Sequence, residues 1–416
     1  MVNEKTNHGY AVEDIIENLC SNTFFSEFTV RSPKYVKANG KEKEIADILI
    51  PFDDTLIAFQ IKTKEEAKSI YERSGAETDR IKRKVEKVVN QFKTTKKAFD
   101  NDKINDLISV RGLPLPYDNN RISNFFGIAI IDIIEPVDSE DDRTGIYYPV
   151  VYINGIPVHV FMRDEFEILL NVVDTLPDFV KYISMRKNLK PKIAPITAEL
   201  DILALYKLNP SLITEFIERK CDKLIITPDM WSEYEPTYHR LMDIKNKANP
   251  HFIIDHIIET LHKTVGYSPP IQFPSGSNIN SGNQDENYLQ IAHYLGHYDR
   301  EERIEIGKQF FKKLKKADHV GFGYCFISNS TNTDGLVFYS TNDKRQERFD
   351  RLYQLSAAIY CMYELKEIIG ITTQGLSSMT HSYDFLMFKG LSFSNSEELI
   401  KWGKNVFNLK EKLPNG

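Results

Sequence analysis

Apolar residues recur at helical spacing from Ala11 to Leu19, through Val12, Ile15, Ile16 and Leu19. One side of a helix is thereby apolar, and Glu13 and Glu17, four apart, share another side. A short strand is expected at Phe28 to Val30, after which the period changes. Ile45 to Ile50 and Thr55 to Lys62 are rich in aliphatic residues and joined by Pro51-Phe52-Asp53-Asp54, which predicts a hairpin. Along its second strand, two-residue alternation puts Ala58, Gln60 and Lys62 on one face and Ile57, Phe59 and Ile61 on the other. With all four linking residues in the turn, paired positions sum to about 105, so Asp47 stands opposite Ala58 and diagonal to Gln60.

A long helix is expected from Asp79 to Phe99, then a buried strand within Phe125 to Ile134, whose apolar run is too short for a membrane. Asn154-Gly155 between two apolar runs is a strong hairpin signal, and Asp164 to Tyr182 returns to helical spacing. Lys and Pro dominate Lys187 to Pro195, which marks a domain edge. Beyond it, helices are expected at Ala198 to Leu208, Ser211 to Lys220, His251 to Thr264, Glu286 to Lys316 and Arg345 to Ile369. Paired strands are expected at Gly321 to Ile327 and Gly335 to Ser340, with a further strand from Ile371. The fold class read from this order is α/β: a mixed sheet flanked by helices in residues 1–190, followed by a second α/β domain in 195–416 with a regulatory, sensing or oligomerising role.

Length supports that division, since 416 residues exceed one ordinary core. A hydrophobic content of 41% with 27% charged residues is that of a globular chain rather than a disordered one. The net charge of -6 excludes a protein that binds nucleic acid with its whole surface, so any such surface is local. Lys82, Arg83, Lys84 and Lys87 crowd the long helix, either as a solvated face or as phosphate contacts. No apolar stretch follows the charged start, and none approaches a membrane span, so a cytoplasmic protein without a membrane partner is expected. Cys20, Cys221, Cys325 and Cys361 lie far apart, which indicates neither a zinc site nor a disulfide framework.

The hairpin carries the candidate chemistry. Asp47 is the one acid in an otherwise apolar strand, and a desolvated carboxylate is costly unless it is paired or holds a metal. An edge strand with a polar face would show the same spacing. The order Glu13 on a helix, Asp47 on one strand, then Gln60-Ile61-Lys62 on the next resembles the PD-(D/E)XK nuclease superfamily, and its Gln form is most similar to the Mrr-like and Holliday-resolvase-like branch. The resemblance covers roughly Gly9 to Phe99 and implies a restriction-endonuclease-like sheet. It further implies that Glu13, Asp47, the Gln60 side chain and the Ile61 carbonyl hold Mg²⁺ or Mn²⁺. Lys62 would act on the attacking water and the phosphate, with Gln91 and Glu17 in support and Lys82, Arg83, Lys84 and Lys87 on the backbone of the nucleic acid. The implied activity is endonucleolytic hydrolysis of DNA, in an antiphage or restriction-type effector working alone, as a homo-oligomer or with a defence partner. An RNA-directed nuclease, or a nuclease fold kept for binding without catalysis, are the alternatives.

Overall fold

Contacts divide the chain into two compact units, Met1–Asn246 and Lys247–Gly416. The computed structural model describes residues 7–36, 39–62, 77–104, 107–115, 117–132, 150–189, 198–219, 226–245, 252–261, 284–328, 333–379 and 381–407, with backbone alone for 7–10, 77–84 and 284–287. Among the described residues, no helix is long and apolar enough to cross a membrane.

The first unit opens with α1 (Asn7–Phe24), followed by β1 (Val30–Arg31), the small pair β2 (Lys34–Val36) and β3 (Glu42–Glu44), and the hairpin β4 (Ile48–Phe52) and β5 (Thr55–Lys62). Then come α2 (Glu77–Asp100), β6 (Asn124–Ile131), β7 (Val150–Ile153) and β8 (Ile156–Met162). The sheet runs β1-β4-β5-β6-β8-β7, with β5, β6 and β8 parallel and the outer pairings antiparallel. Parallel strands are covered on both faces, which is why β5 and β6 read as almost continuous apolar runs. On one face Phe59 and Phe161 pack with Phe24, Phe166 and Phe179, at ring centroid distances of 5.1 to 6.4 Å. On the other, α2 lies so close that a Cβ on Gly127 would stand 2.9 Å from the Phe92 ring.

Two expectations about this unit change. The turn of the β4–β5 hairpin is two residues, Asp53 and Asp54, with Phe52 paired to Thr55 and Asp53 at φ 51. Pro51 stays in the strand because β1 reaches no further than Leu49, leaving no ladder partner that needs a proline N–H. The register therefore moves by two, and Leu49 rather than Asp47 stands opposite Ala58. The unit also extends beyond residue 190. After α3 (Arg163–Val172) and α4 (Leu176–Leu189) it includes α5 (Glu199–Leu208), α6 (Pro210–Glu218) and α7 (Met230–Lys245). Glu199 of α5 is held by Arg186 and Tyr182 of α4, and Lys245 of α7 reaches Asp174 at 2.8 Å. Nothing in the spacing announced α7, whose pattern is interrupted by Pro236.

The second unit contains α8 (Ile253–Leu261), α9 (Gln284–Gly296), α10 (Arg300–Val320), β9 (Phe322–Ser328), β10 (Asp334–Thr341), α11 (Arg345–Met362), β11 (Glu367–Thr373), β12 (Asp384–Lys389) and α12 (Ser396–Phe407). Its sheet runs β12-β11-β10-β9, with β10 and β11 parallel across α11. The single helix expected over Glu286 to Lys316 is two, because Asp299 and Glu302 form a capping box that starts α10. The helix expected to reach Ile369 ends at Met362, and Glu367 to Thr373, rich in β-branched residues, forms a central strand instead. Cys20 and Cys325 are buried thiols and Cys361 is half-buried; Cys221 lies outside the described residues.

Candidate active site

The site lies where β4 runs out beside β5. Ile48 pairs with Phe59, and the Asp47 N–H also donates to the Phe59 carbonyl at 3.0 Å, so two residues stand opposite one. This is a β-bulge, which re-aims a side chain at the end of a ladder. The Asp47 carbonyl meanwhile accepts from Ser32 N–H at 2.9 Å, tying the bulge to the chain beyond β1. Its carboxylate turns to β5 and accepts the Ile61 N–H at 2.5 Å. Since the N–H and C=O of one strand residue face the same edge, the Ile61 carbonyl is directed past the end of β4 as well. The bulge and the two-residue turn together bring Asp47 level with Gln60 and Ile61.

Gln60 is buried and faces α2. Its Nε2 donates to the Ile45 carbonyl at 3.3 Å, an oxygen that also accepts from Thr95 Oγ1 at 2.6 Å. Among the described residues no donor reaches the Gln60 amide oxygen, which remains available as an acceptor. Gln91 is one turn before Thr95 on the same side of α2, and its buried Oε1 has no hydrogen-bond partner among the described residues. Thr95 belongs to the site although no expectation named it; its position four after Gln91 is the signal that would have found it.

Lys62 ends β5 half-buried, and its charge acts on both Asp47 and Glu13, so the Glu13 of α1 is a neighbour of this cluster. Burial pushes the Asp47 carboxyl up to about 7; the Ile61 N–H and the Lys62 ammonium oppose the rise, while Glu44 and Glu13 add to it. Glu13 is raised too, first by desolvation and then by Glu44, against the pull of Arg31 and Lys62. Asp47 and Glu13 thus share Lys62, and Glu44 acts on both. Their oxygens do not close to within 4.8 Å of one another as a set. Asp47, the Gln60 amide and the Ile61 carbonyl are oxygens of the hard kind that could hold Mg²⁺ or Mn²⁺, with Glu13 and Glu44 as charged neighbours.

Glu17 is placed differently from its expected supporting role. It pairs with Arg31 at 2.7 Å, and Asp14 takes the other arm of that guanidinium at 2.6 Å. On α2, Lys87 is exposed and Lys96 pairs with Asp100. The side chains of Lys82, Arg83 and Lys84 lie outside the described residues. One further acid adjoins the strand ends: Asp132, only 2% exposed, follows β6, donates its N–H to the Lys62 carbonyl at 2.8 Å and lies 3.3 Å from the Arg163 guanidinium. A lone acid inside Ile-Ile-Asp-Ile-Ile gives the same signal as Asp47 and was legible in the same way. No protein-family model, curated protein or solved structure matches this chain.

Proposed function

We propose that the chain is a divalent-metal-dependent nuclease, hydrolysing phosphodiester bonds of DNA in a restriction or antiphage role. The observation that carries this reading is the bulge at Asp47, which sets a carboxylate beside the Gln60 amide and the Ile61 backbone, next to Lys62. A desolvated carboxylate opposed by one lysine, with Glu13 and Glu44 adding negative charge, favours a cation beside it. Oxygen ligands on a hairpin end, fixed by backbone hydrogen bonds, supply the rigidity that such a site needs.

A bound Mg²⁺ would polarise the scissile phosphate and lower the pKa of a water. Asp47, Gln60 and Ile61 would hold the ion, each through an oxygen. The Lys62 ammonium would stabilise negative charge developing on the phosphate and steer the attacking water. Glu13, with its pKa raised, is suited to accept a hydrogen bond or proton from an outer water.

Relaxation of supercoiled plasmid in Mg²⁺ or Mn²⁺ tests this directly. Wild-type protein is expected to nick, and Asp47→Ala and Lys62→Met to lose about 10²-fold or more. A wild type that binds nucleic acid but cuts none of it with either metal would leave a binding module. Cleavage confined to RNA would change the substrate and keep the site.

A further inference from the structure

The second unit presents a charged face that the site above does not use. On α10, Ile306, Phe310, Leu314 and Ala317 turn to the core. Lys308, Lys312, Lys315, Lys316 and His319 are all exposed on the other side. Steps of four, three, one and three residues keep them in one stripe, ~16 Å long at 1.5 Å per residue. Lys308 is paired with Glu305 at 2.6 Å. Among the described residues, Lys312, Lys315 and Lys316 have no carboxylate partner; Lys315 and Lys316 lie over the rings of Phe311 and Phe322, at 4.6 and 5.9 Å. Asp318, the nearest acid in sequence, accepts from the Ser377 N–H and hydroxyl.

Helix stability does not account for the stripe. Interaction with the helix dipole fades beyond the last turn, so it covers His319 and leaves Lys308, Lys312 and Lys315 unexplained. The pairs Lys308/Lys312 and Lys312/Lys316 are like charges four apart and oppose the helix. In a chain whose net charge is -6, such a row is a local departure that favours a polyanion.

We infer that this face of α10 docks the sugar-phosphate backbone of duplex nucleic acid, giving the second unit a substrate-holding role; the inference rests on the reading of the chain as a nucleic-acid enzyme. Ammonium groups on flexible stems neutralise phosphates without reading sequence, which fits a holding surface. A helix lying on a membrane would place apolar side chains outward among its basic ones, whereas the apolar side of α10 is taken by its own core, and Val320, exposed, falls beyond the stripe.

The test is anisotropy of a labelled duplex with the full chain in EDTA, so that binding is read without cutting. Each phosphate contact contributes about -0.9 to the slope of log K against log salt, so K312A/K315A/K316A should flatten that slope by ~2.7. Between about 50 and 200 mM salt the wild type should then lose about forty-fold more affinity than the variant. Lys→Arg at the same positions should restore the slope, which separates charge from fold. An unchanged slope, no duplex binding by the wild type, or capture of anionic vesicles in place of duplex would each overturn the inference. A wild type that binds through the stripe but never cuts sinks the nuclease reading alone. One that cuts with the slope unaltered by the substitutions sinks the docking face alone.

Discussion

Asp47 and Gln60 show how single side chains are held between stability and chemistry. The Asp47 carboxyl is desolvated more than its Ile61 and Lys62 contacts compensate, hence its rise to about 7. Asn at this position keeps an oxygen for the Ile61 N–H and removes the charge, so Asp47→Asn should be as stable as wild type or about 1 kcal/mol more stable by urea unfolding in EDTA at neutral pH. Added Mn²⁺ should raise the wild-type melting temperature and leave the variant unmoved, because only a ligand that binds the folded site shifts the equilibrium. A clear loss of stability in EDTA would show that the carboxylate is structural. Gln60 has a parallel logic, which accounts for an amide rather than an acid at this position. Its N–H₂ serves the Ile45 carbonyl, and only its oxygen is left for a ligand. Gln60→Glu puts a carboxylate oxygen against that carbonyl, so it should cost about 1–3 kcal/mol without metal, and Mn²⁺ should recover much of it. Equal stability of the two proteins in EDTA would count against the Ile45 bond.

At the scale of elements, the face of the sheet away from α2 is fixed by a buried polar cluster. Arg186 of α4, fully buried, donates to both oxygens of Glu199 at 2.9 and 3.0 Å and to the Val160 carbonyl at 2.9 Å, and approaches His159 Nδ1 at 3.4 Å. Tyr182 donates to the same glutamate at 2.6 Å. Glu165 of α3 is pushed up to about 8 by burial and by Glu199, against Arg186 and the Met162 N–H, with Asp164 adding a little. His159, buried beside Arg186 and Lys187, is held well below its ordinary range and so stays neutral. Folded Glu165 keeps its proton up to about pH 8, while the unfolded chain gives it up near the ordinary glutamate value of 4.5. Stability therefore falls as pH rises between those two values and levels off above the higher one. Glu165→Gln should remove that part of the slope, leaving the variant up to about 4 kcal/mol more stable than wild type near pH 8 and equal to it near pH 4. Parallel pH profiles for the two proteins would refute this. The cluster also explains what the chain's pattern revealed and what it did not. Apolar period made β5, β6, β8 and α2 readable, and a lone acid or amide in an apolar run marked Asp47 and Gln60. The bulge depends on a hydrogen bond between strands, Glu17 was drawn to Arg31 from another element, and His159 with Arg186 became core through Glu199, a residue beyond the apparent linker. Such pairings join positions far apart in the chain, and local spacing does not encode them.

For the whole molecule, the placement of that cluster decides where the first unit ends. The Lys- and Pro-rich stretch around Lys187 to Pro195 has the composition of a domain edge, yet Glu199 on its far side neutralises a buried arginine on its near side. Removing one partner of a buried ion pair leaves an uncompensated charge and costs about 3–5 kcal/mol, a large part of the net stability of a domain. Lys245 adds to the argument, since it reaches across to Asp174 and the Asn171 carbonyl, at 2.8 and 2.6 Å, at the end of α3. A fragment of residues 1–246 should accordingly express as a folded protein with one cooperative thermal transition. A fragment of residues 1–190 should be aggregated or melt far lower, and Arg186→Met should partly rescue it by removing the stranded charge. The pair of fragments, followed by circular dichroism melting, gives an outcome that composition and packing predict oppositely. If 1–190 melts as high as 1–246, the linker is the true boundary and the Arg186 to Glu199 pair contributes little to the first unit.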